Sequence, residues 1–399
     1  MDVGDEPRMI GQRLRRIRNY RGKSLVVVAG LAGVSKSHLH RIETGQRALD
    51  SRSETVAIAN ALGISPSELT RLPVPAPGNG DNDAAVKAVS RALMAVNRKR
   101  PRGEVVSVDV LRARVRSLVD TGRQCRQTEV GAALPALIRD VHTSIAAGRD
   151  VAELLELAVM MHTQGSHAWL RVMGAEVEVR SLATVAARQA AEHRDEPATL
   201  GLALFGDGLV MLASGDFDLA RDELDSVTVP TNSSESMQVA GMLGLCRSLV
   251  AAADKRPADV EAALDYAGEL AERTGEGNAY WLGFGPTNVG LWRMAAALEV
   301  RDYERVATIA EHLNPQAHPN LSRQTAYWLD YGRALARLRG RQDDAVMALH
   351  RGETLSPLHM QRNPFVRDVL GELLARRSRR DDAVSVELRG MAYRAGLPM

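Results

Sequence analysis

The residue types best suited to meeting a nucleic acid lie in one short stretch, Lys36-Ser-His-Leu-His-Arg-Ile-Glu-Thr44. Leu39 and Ile42, three apart, mark the inward face of a helix over 36–43. Lys36, Ser37, His40, Arg41 and Thr44 then share its outward arc. An arginine in that place can pair bidentately with a guanine, worth about 1–3 kcal/mol of discrimination between bases. His38 and His40 are expected to meet phosphate or solvent, because most hydrogen bonds to DNA go to its backbone. Ser24 and Ser35 precede apolar helical runs as N-caps and complete the candidate DNA-contacting set.

A second concentration of chemistry lies far along the chain. Eight of the 15 aromatic residues fall between 280 and 331, namely Tyr280, Trp281, Phe284, Trp292, Tyr303, Tyr327, Trp328 and Tyr331. Such a cluster either anchors a bound partner or packs helices together. Within Phe284-Gly-Pro-Thr-Asn-Val289, Gly285-Pro286 opens a helix. Thr287 and Asn288 are expected to face outward in its first turn, where free N–H groups can take a carboxylate. The Asn288 amide can also bond both polar groups of an extended peptide. Simple helix initiation is the alternative.

Catalytic patterns are missing: there is no Walker loop, no GxSxG, no HExxH and no Cys–His site. His162 and His167 are five apart, a poor spacing for a shared metal on one helix face, and read as core or surface imidazoles. Cys125 and Cys246 are too few for a disulfide framework or a thiolate zinc site and read as small buried hydrophobes. The chain is therefore expected to be no enzyme and to carry neither metal nor cofactor.

The elements that position the first set are five short helices. The first holds Ile10, Leu14 and Ile17 inward and ends near Tyr20. Others are expected at 25–31, at 36–43, at about 53–62, and after Ser65-Pro66. Two short helices joined by a Gly turn form a helix-turn-helix, whose second helix enters the major groove. The run Ser24-Leu-Val-Val-Val-Ala-Gly-Leu-Ala-Gly-Val-Ser-Lys-Ser-His-Leu-His-Arg-Ile-Glu-Thr-Gly45 and the trailing Val56-Ala-Ile-Ala-Asn-Ala-Leu-Gly-Ile-Ser-Pro-Ser-Glu-Leu69 resemble the XRE (Cro/C1-type) DNA-binding family over about 60 residues. The resemblance implies that Lys36, Ser37 and Arg41 read bases. It also implies that Glu43 bonds Arg18 to hold the fold. Val26 and Val27 depart from the family, which shows polar residues there. They suggest contact with the rest of the chain or a second subunit, or else two isolated apolar surface residues.

Charge separates this front from the rest of the chain. Residues 1–72 carry a net +5, 73–83 carry −2, 84–126 carry +8 and 127–399 carry −9. Only the front is expected to meet a polyanion. Asn97-Arg-Lys-Arg-Pro-Arg102 is either a phosphate-contacting patch or a solvated loop. The stretch 73–83, rich in Pro and Gly, reads as an extended linker. Beyond it nearly every segment has helical period, and Glu176-Val-Glu-Val179 is expected to open a helix. The whole chain is read as all-α. Because the N-terminus is acidic and then Arg-rich, no cleavable signal is expected. The longest apolar runs, such as Leu25–Leu31, fall short of the ~20 residues needed to cross a bilayer. A cytoplasmic protein without membrane contact is expected.

Residues 84–200 are helical but resist division into repeats. From 201 to 399 a pattern recurs, clearest in Gly208-x2-Met211…Gly215-Asp-Phe-Asp-Leu-Ala220-x3-Leu224 and in Gly340-Arg-Gln-Asp-Asp-Ala345-x3-Leu349. With copies keyed at Ala262, Val306 and Ala383, it resembles tetratricopeptide (TPR) repeats. That resemblance implies an α-solenoid whose first helices line a concave face. Phe205, Arg247, Asn288, Trp292, Tyr327, Asp330 and Tyr331 are the candidate ligand groove, with Asp368 nearby. An XRE front on a TPR-like body is similar to the RRNPP peptide-sensing regulators and to XRE–TPR regulators of actinobacteria. It implies a homodimeric transcriptional regulator that binds double-stranded operator DNA and senses a signalling peptide or small molecule. The alternative is a TPR interaction scaffold tethered to DNA by, or carrying a vestigial, helix-turn-helix.

Overall fold

A computed structural model of the chain describes residues 9–70, 80–377 and 382–397, and every regular element among them is helical. The front domain comprises α1 (Ile10–Tyr20), α2 (Leu25–Leu31), α3 (Lys36–Glu43), α4 (Arg52–Leu62) and α5 (Pro66–Thr70). Its caps result from side-chain chemistry. Ser24 accepts from Val27 N, Ser35 from His38 N and Ser51 from Glu54 N. Because Ser51 serves as cap, α4 starts one residue earlier than Ser53. Gly63 ends it with φ +70°, a left-handed conformation natural to glycine. Leu14, Val28, Leu39, Ile42, Leu49, Ile58, Leu62 and Leu69 fill the small core.

The linker expected over 73–83 is shorter at its far end. Residues 71–79 lie outside those described, and α6 (Gly80–Asn97) already occupies 80–83. Next in the chain come α7 (Val108–Arg123), α8 (Gln127–Ala146), α9 (Val151–Met160), a π-helical turn over Met161–His167, α10 (Ala168–Val172) and α11 (Val177–Arg194). Residues 98–102 form the loop after α6, and 103–106 are strapped along α8. There Gly103 N donates to Thr143 Oγ1, Glu104 N to Asp140 Oδ1 and Val106 N to Ser144 Oγ, at 2.9–3.0 Å.

Helix pairs make up the remainder. They are α12 (Pro197–Ser214) with α13 (Phe217–Asp225), α14 (Ser234–Ala253) with α15 (Pro257–Thr274), α16 (Pro286–Glu299) with α17 (Tyr303–His312), and α18 (Leu321–Leu335) with α19 (Gln342–Leu355). The short α20 (Pro357–Gln361) leads into α21 (Pro364–Arg377), which pairs with α22 (Ala383–Arg394). The expected boundary at 200/201 therefore falls inside α12. Missing side chains let partners close. A Cβ on Gly208 would stand 3.0 Å from Leu224 Cδ2, and one on Gly332 only 2.7 Å from Leu349 Cγ. Ala220, Val306 and Ala345 are fully buried in second helices. Ala262 and Ala383 are exposed, so the repeat register read at those two positions is wrong; Ala267 and Leu264 make the buried seam of α15 instead.

By length and composition α12 and α14 are apolar enough to cross a membrane, contrary to the expectation that no run approaches that length. Their apolar windows are 61% and 89% buried inside the protein, as core helices are. Cys246 is fully buried, but Cys125 is only half-buried, with Sγ 3.6 Å from Ser322 Oγ. That contact joins the end of α7 to α18. Arg362 likewise donates to Met173 O at 3.0 Å. The body thus returns on itself around a central chamber of about 1030 Å³.

Candidate DNA-binding face and interior chamber

The outward arc of α3 is open to solvent. Lys36, Ser37, His40, Arg41 and Thr44 are all exposed, as are the caps Ser24 and Ser35. Thr44 Oγ1 donates back to His40 O at 2.9 Å. On the opposite side Arg18 grips Glu43 bidentately, Nε to Oε1 at 2.6 Å and Nη2 to Oε2 at 2.9 Å. His38 differs from expectation. It turns inward, with Nε2 2.5 Å from Glu54 Oε1, and Glu54 also pairs with Arg301 of the loop before α17. Burial raises the Glu54 pKa, but these two partners outweigh it and leave the carboxyl below its usual range. Val26, Val27, Leu31 and Tyr20 remain exposed, so Val26 and Val27 are not buried against the body among the described residues.

The front domain is docked on the body through the segment between α3 and α4. Ala48 N donates to Glu372 Oε2 at 2.7 Å, Leu49 N to Asp368 Oδ2 at 2.8 Å and Ile10 N to Asp368 Oδ1 at 3.3 Å. Glu299 accepts from Ser53 N at 2.9 Å and from the Ser51 hydroxyl at 3.2 Å. Arg333 donates to Asp50 O at 2.7 Å. Arg337 pairs with both Asp50 and Glu372, all three side chains being no more than 5% exposed. Each of these backbone N–H groups meets a carboxylate, the stronger, charge-assisted class of hydrogen bond.

This docking places α4 and α5 over the chamber, whose lining includes Arg52, Thr55 and Val56 of the first and Pro66, Ser67 and Thr70 of the second. Five of the seven groove residues line it from the body: Phe205, Asn288, Trp292, Tyr327 and Asp330. Arg247 and Tyr331 do not. Arg247 donates to Asp225 on the outer side at 2.8 Å, and Tyr331 lies between Glu311 and Arg341. Asn288 is 1% exposed, not outward-facing, because the start of α16 is wedged between α14 and α18. Its Oδ1 accepts from Arg323 Nη2 at 2.8 Å and Nε at 3.2 Å. Nor are the N–H groups of that first turn all free, since Thr287 N donates to Glu276 Oε1 at 2.8 Å. Tyr327 donates its hydroxyl proton to Ala310 O at 2.8 Å, and Asp330 accepts from Arg333 at 2.9 Å. Asp368 serves the docking instead of the groove.

The chamber's cations went unread in the sequence. Arg171, Arg180 and Arg323 come from α10, α11 and α18, and only the closure of the body brings them together. One signal existed: Arg171 interrupts the apolar run Trp169-Leu-Arg-Val-Met173. His162 is buried in the π-helical turn, its Nε2 2.7 Å from His142 Nε2, and His167 lines the chamber. His350, Glu353 and Glu387 come within 4.8 Å of one another. Arg394 already bonds both carboxylates, at 2.6 and 3.2 Å.

Residues 10–72 match the family model described as a helix-turn-helix domain. No curated protein and no solved structure matches the chain.

Proposed function

We propose that this chain, whose front is a helix-turn-helix DNA-binding domain, is a transcriptional regulator whose body senses a peptide or other small ligand and so controls how a dimer engages operator DNA. One observation carries the reading: the chamber is walled partly by α4 and α5 of the DNA-binding domain and partly by the body. A ligand held there touches both, and can shift the equilibrium between two placements of the domain by its difference in affinity for them. The volume suits a small ligand. The work asked of the chamber is binding without a catalytic step. The open arc of α3 leaves the recognition helix able to reach a major groove while the domain is docked, and Glu54 links α3 to Arg301 of the body. A dimer is proposed because one helix-turn-helix covers too little DNA for tight specific binding.

The test is to expose purified protein to fragmented genomic DNA and sequence the fragments it retains. A recurring palindrome is expected, with retention falling steeply as salt rises. Arg41→Ala should weaken binding to the recovered site by about 1–3 kcal/mol and relax one base position, with helicity unchanged. No enrichment, with Arg41→Ala indistinguishable from the parent, overturns the reading in favour of a protein-interaction scaffold.

A further inference from the structure

The chamber wall carries nine arginines and three carboxylates, although residues 127–399, which supply most of that wall, are net negative. All three carboxylates are engaged: Asp330 holds Arg333, Asp83 lies 3.4 Å from Arg362, and Glu176 has a partner of its own. The guanidinium groups of Arg123, Arg171 and Arg180 make no hydrogen bond or ion pair among the described residues. Among the described residues the Arg323 guanidinium bonds only the neutral Asn288 amide, and it lies 5.6 Å above the Trp292 ring. Burial, then the charge of Arg171, pushes the Arg180 and Arg323 pKa values down to about 10. A surrounding low in dielectric makes such crowding of like charge costly.

Two further observations point to an occupant. His167 is 2% exposed, lines the chamber, and its Nε2 has no hydrogen-bond partner among the described residues. It belongs to the π-helical turn over Met161–His167, a distortion frequent at functional sites. Beside the cations, Phe205 and Trp292 form an apolar shelf with ring centroids 6.1 Å apart. Guanidinium forks match the planar, two-oxygen faces of carboxylate and phosphate groups.

We propose that the chamber binds a small organic anion bearing two or more phosphate or carboxylate groups, which Arg171, Arg180 and Arg323 clamp while Phe205 and Trp292 seat its apolar part. Asn288 acts as a positioning residue, holding the Arg323 fork beside the Trp292 ring. The biological meaning of this site rests on the sensing function proposed for the body; the chemistry of binding does not.

The test is calorimetric titration of the full chain with pyrophosphate, citrate and ADP, with trehalose as the neutral control. At least one anion binds and trehalose does not, and whether citrate or the phosphate compounds bind identifies the acid group. Arg171→Gln and, separately, Arg180→Gln weaken that binding about tenfold or more, as loss of a charge-assisted bond does. Without ligand, neither variant melts below the parent, because each removes a repelling charge. The proposal is overturned if no anion binds more than trehalose, if both variants bind as the parent does, or if both melt several degrees lower. Adding the recovered operator fragment separates anion binding from sensing. An anion that binds without changing DNA affinity leaves this proposal standing and removes the sensing one. A neutral ligand that changes DNA affinity, with no anion bound, does the reverse.

Discussion

Arg337 meets Asp50 of the front domain and Glu372 of α21 in a place water scarcely reaches. Burial lowers its pKa, but the two carboxylates more than reverse that. Truncating it leaves Asp50 buried without its cation and Glu372 with Arg376 alone, so Arg337→Ala should cost about 3–5 kcal/mol. Urea unfolding measures the loss, and hydrogen exchange at the Ala48 and Leu49 amides locates it at the docking seam. A loss under about 1 kcal/mol would place the pair in the weak class of solvent-screened bridges. At this scale the sequence was legible where geometry is local. Arg18 and Glu43 meet as the family resemblance implied, since three helices of one small domain fix both. Asn288 and His38 were misplaced because each has its surroundings set by another element, α18 for the one and α4 for the other. Arg171 and Arg180 gave almost no local sign, being ordinary helical arginines until the body closes.

Among elements, the helix pairs owe their closeness to absent side chains. Gly332 of α18 faces Leu349 of α19 with no room for a methyl group. Gly332→Ala should overpack that seam and cost about 1–3 kcal/mol, read as a lower thermal midpoint with secondary structure retained. An unchanged midpoint would mean that Leu349 has another rotamer free. Helix boundaries were largely legible: α2 and α3 begin and end where the caps Ser24 and Ser35 and the glycines after each helix predict. The repeat phase was less so. Alanines occur on several faces of α15 and α22, and sequence alone cannot say which one lies under the partner helix. The π-helical turn had no sequence mark, because its geometry arises from packing against α7, α8 and α11.

For the molecule as a whole, buried imidazoles set the response to acid. Burial pushes His142 and His318 down to about 4 and His359 to about 3, and His162 and His167 are also lowered. His318 shows why the neutral form is needed: its Nε2 faces Gly283 O while its Nδ1 accepts from Asn320 N. The unfolded chain takes up these protons near the ordinary value of 6.5, so their stabilising contribution is whole above that pH and declines from 6.5 towards 4. Asp368, pushed up to about 7 by burial, works the other way over the same window. Burial also raises the Asp207 pKa; with five imidazoles against two carboxyls, the urea midpoint should fall as pH drops from 7 to 4.5, and a flat profile would contradict the neutral imidazoles. The all-helical class and the front domain's place at the N-terminus were legible from periodicity and charge. The docking of that domain was not, because backbone N–H groups meeting distant carboxylates leave no pattern along the chain.

Seams as tight as those at Gly208 and Gly332 also have a mechanical consequence. A helix that slid along its partner would drive Leu224 or Leu349 into backbone within a fraction of an ångström, so each pair behaves as a stiff plate. The compliance that remains lies between plates, as small changes of winding about the superhelix axis. Winding adds up along a stack of pairs, and the last pair, through α21, holds the front domain. A strain too small to notice at any one joint therefore becomes its largest displacement where Arg337, Glu372 and Asp368 hold the DNA-binding domain.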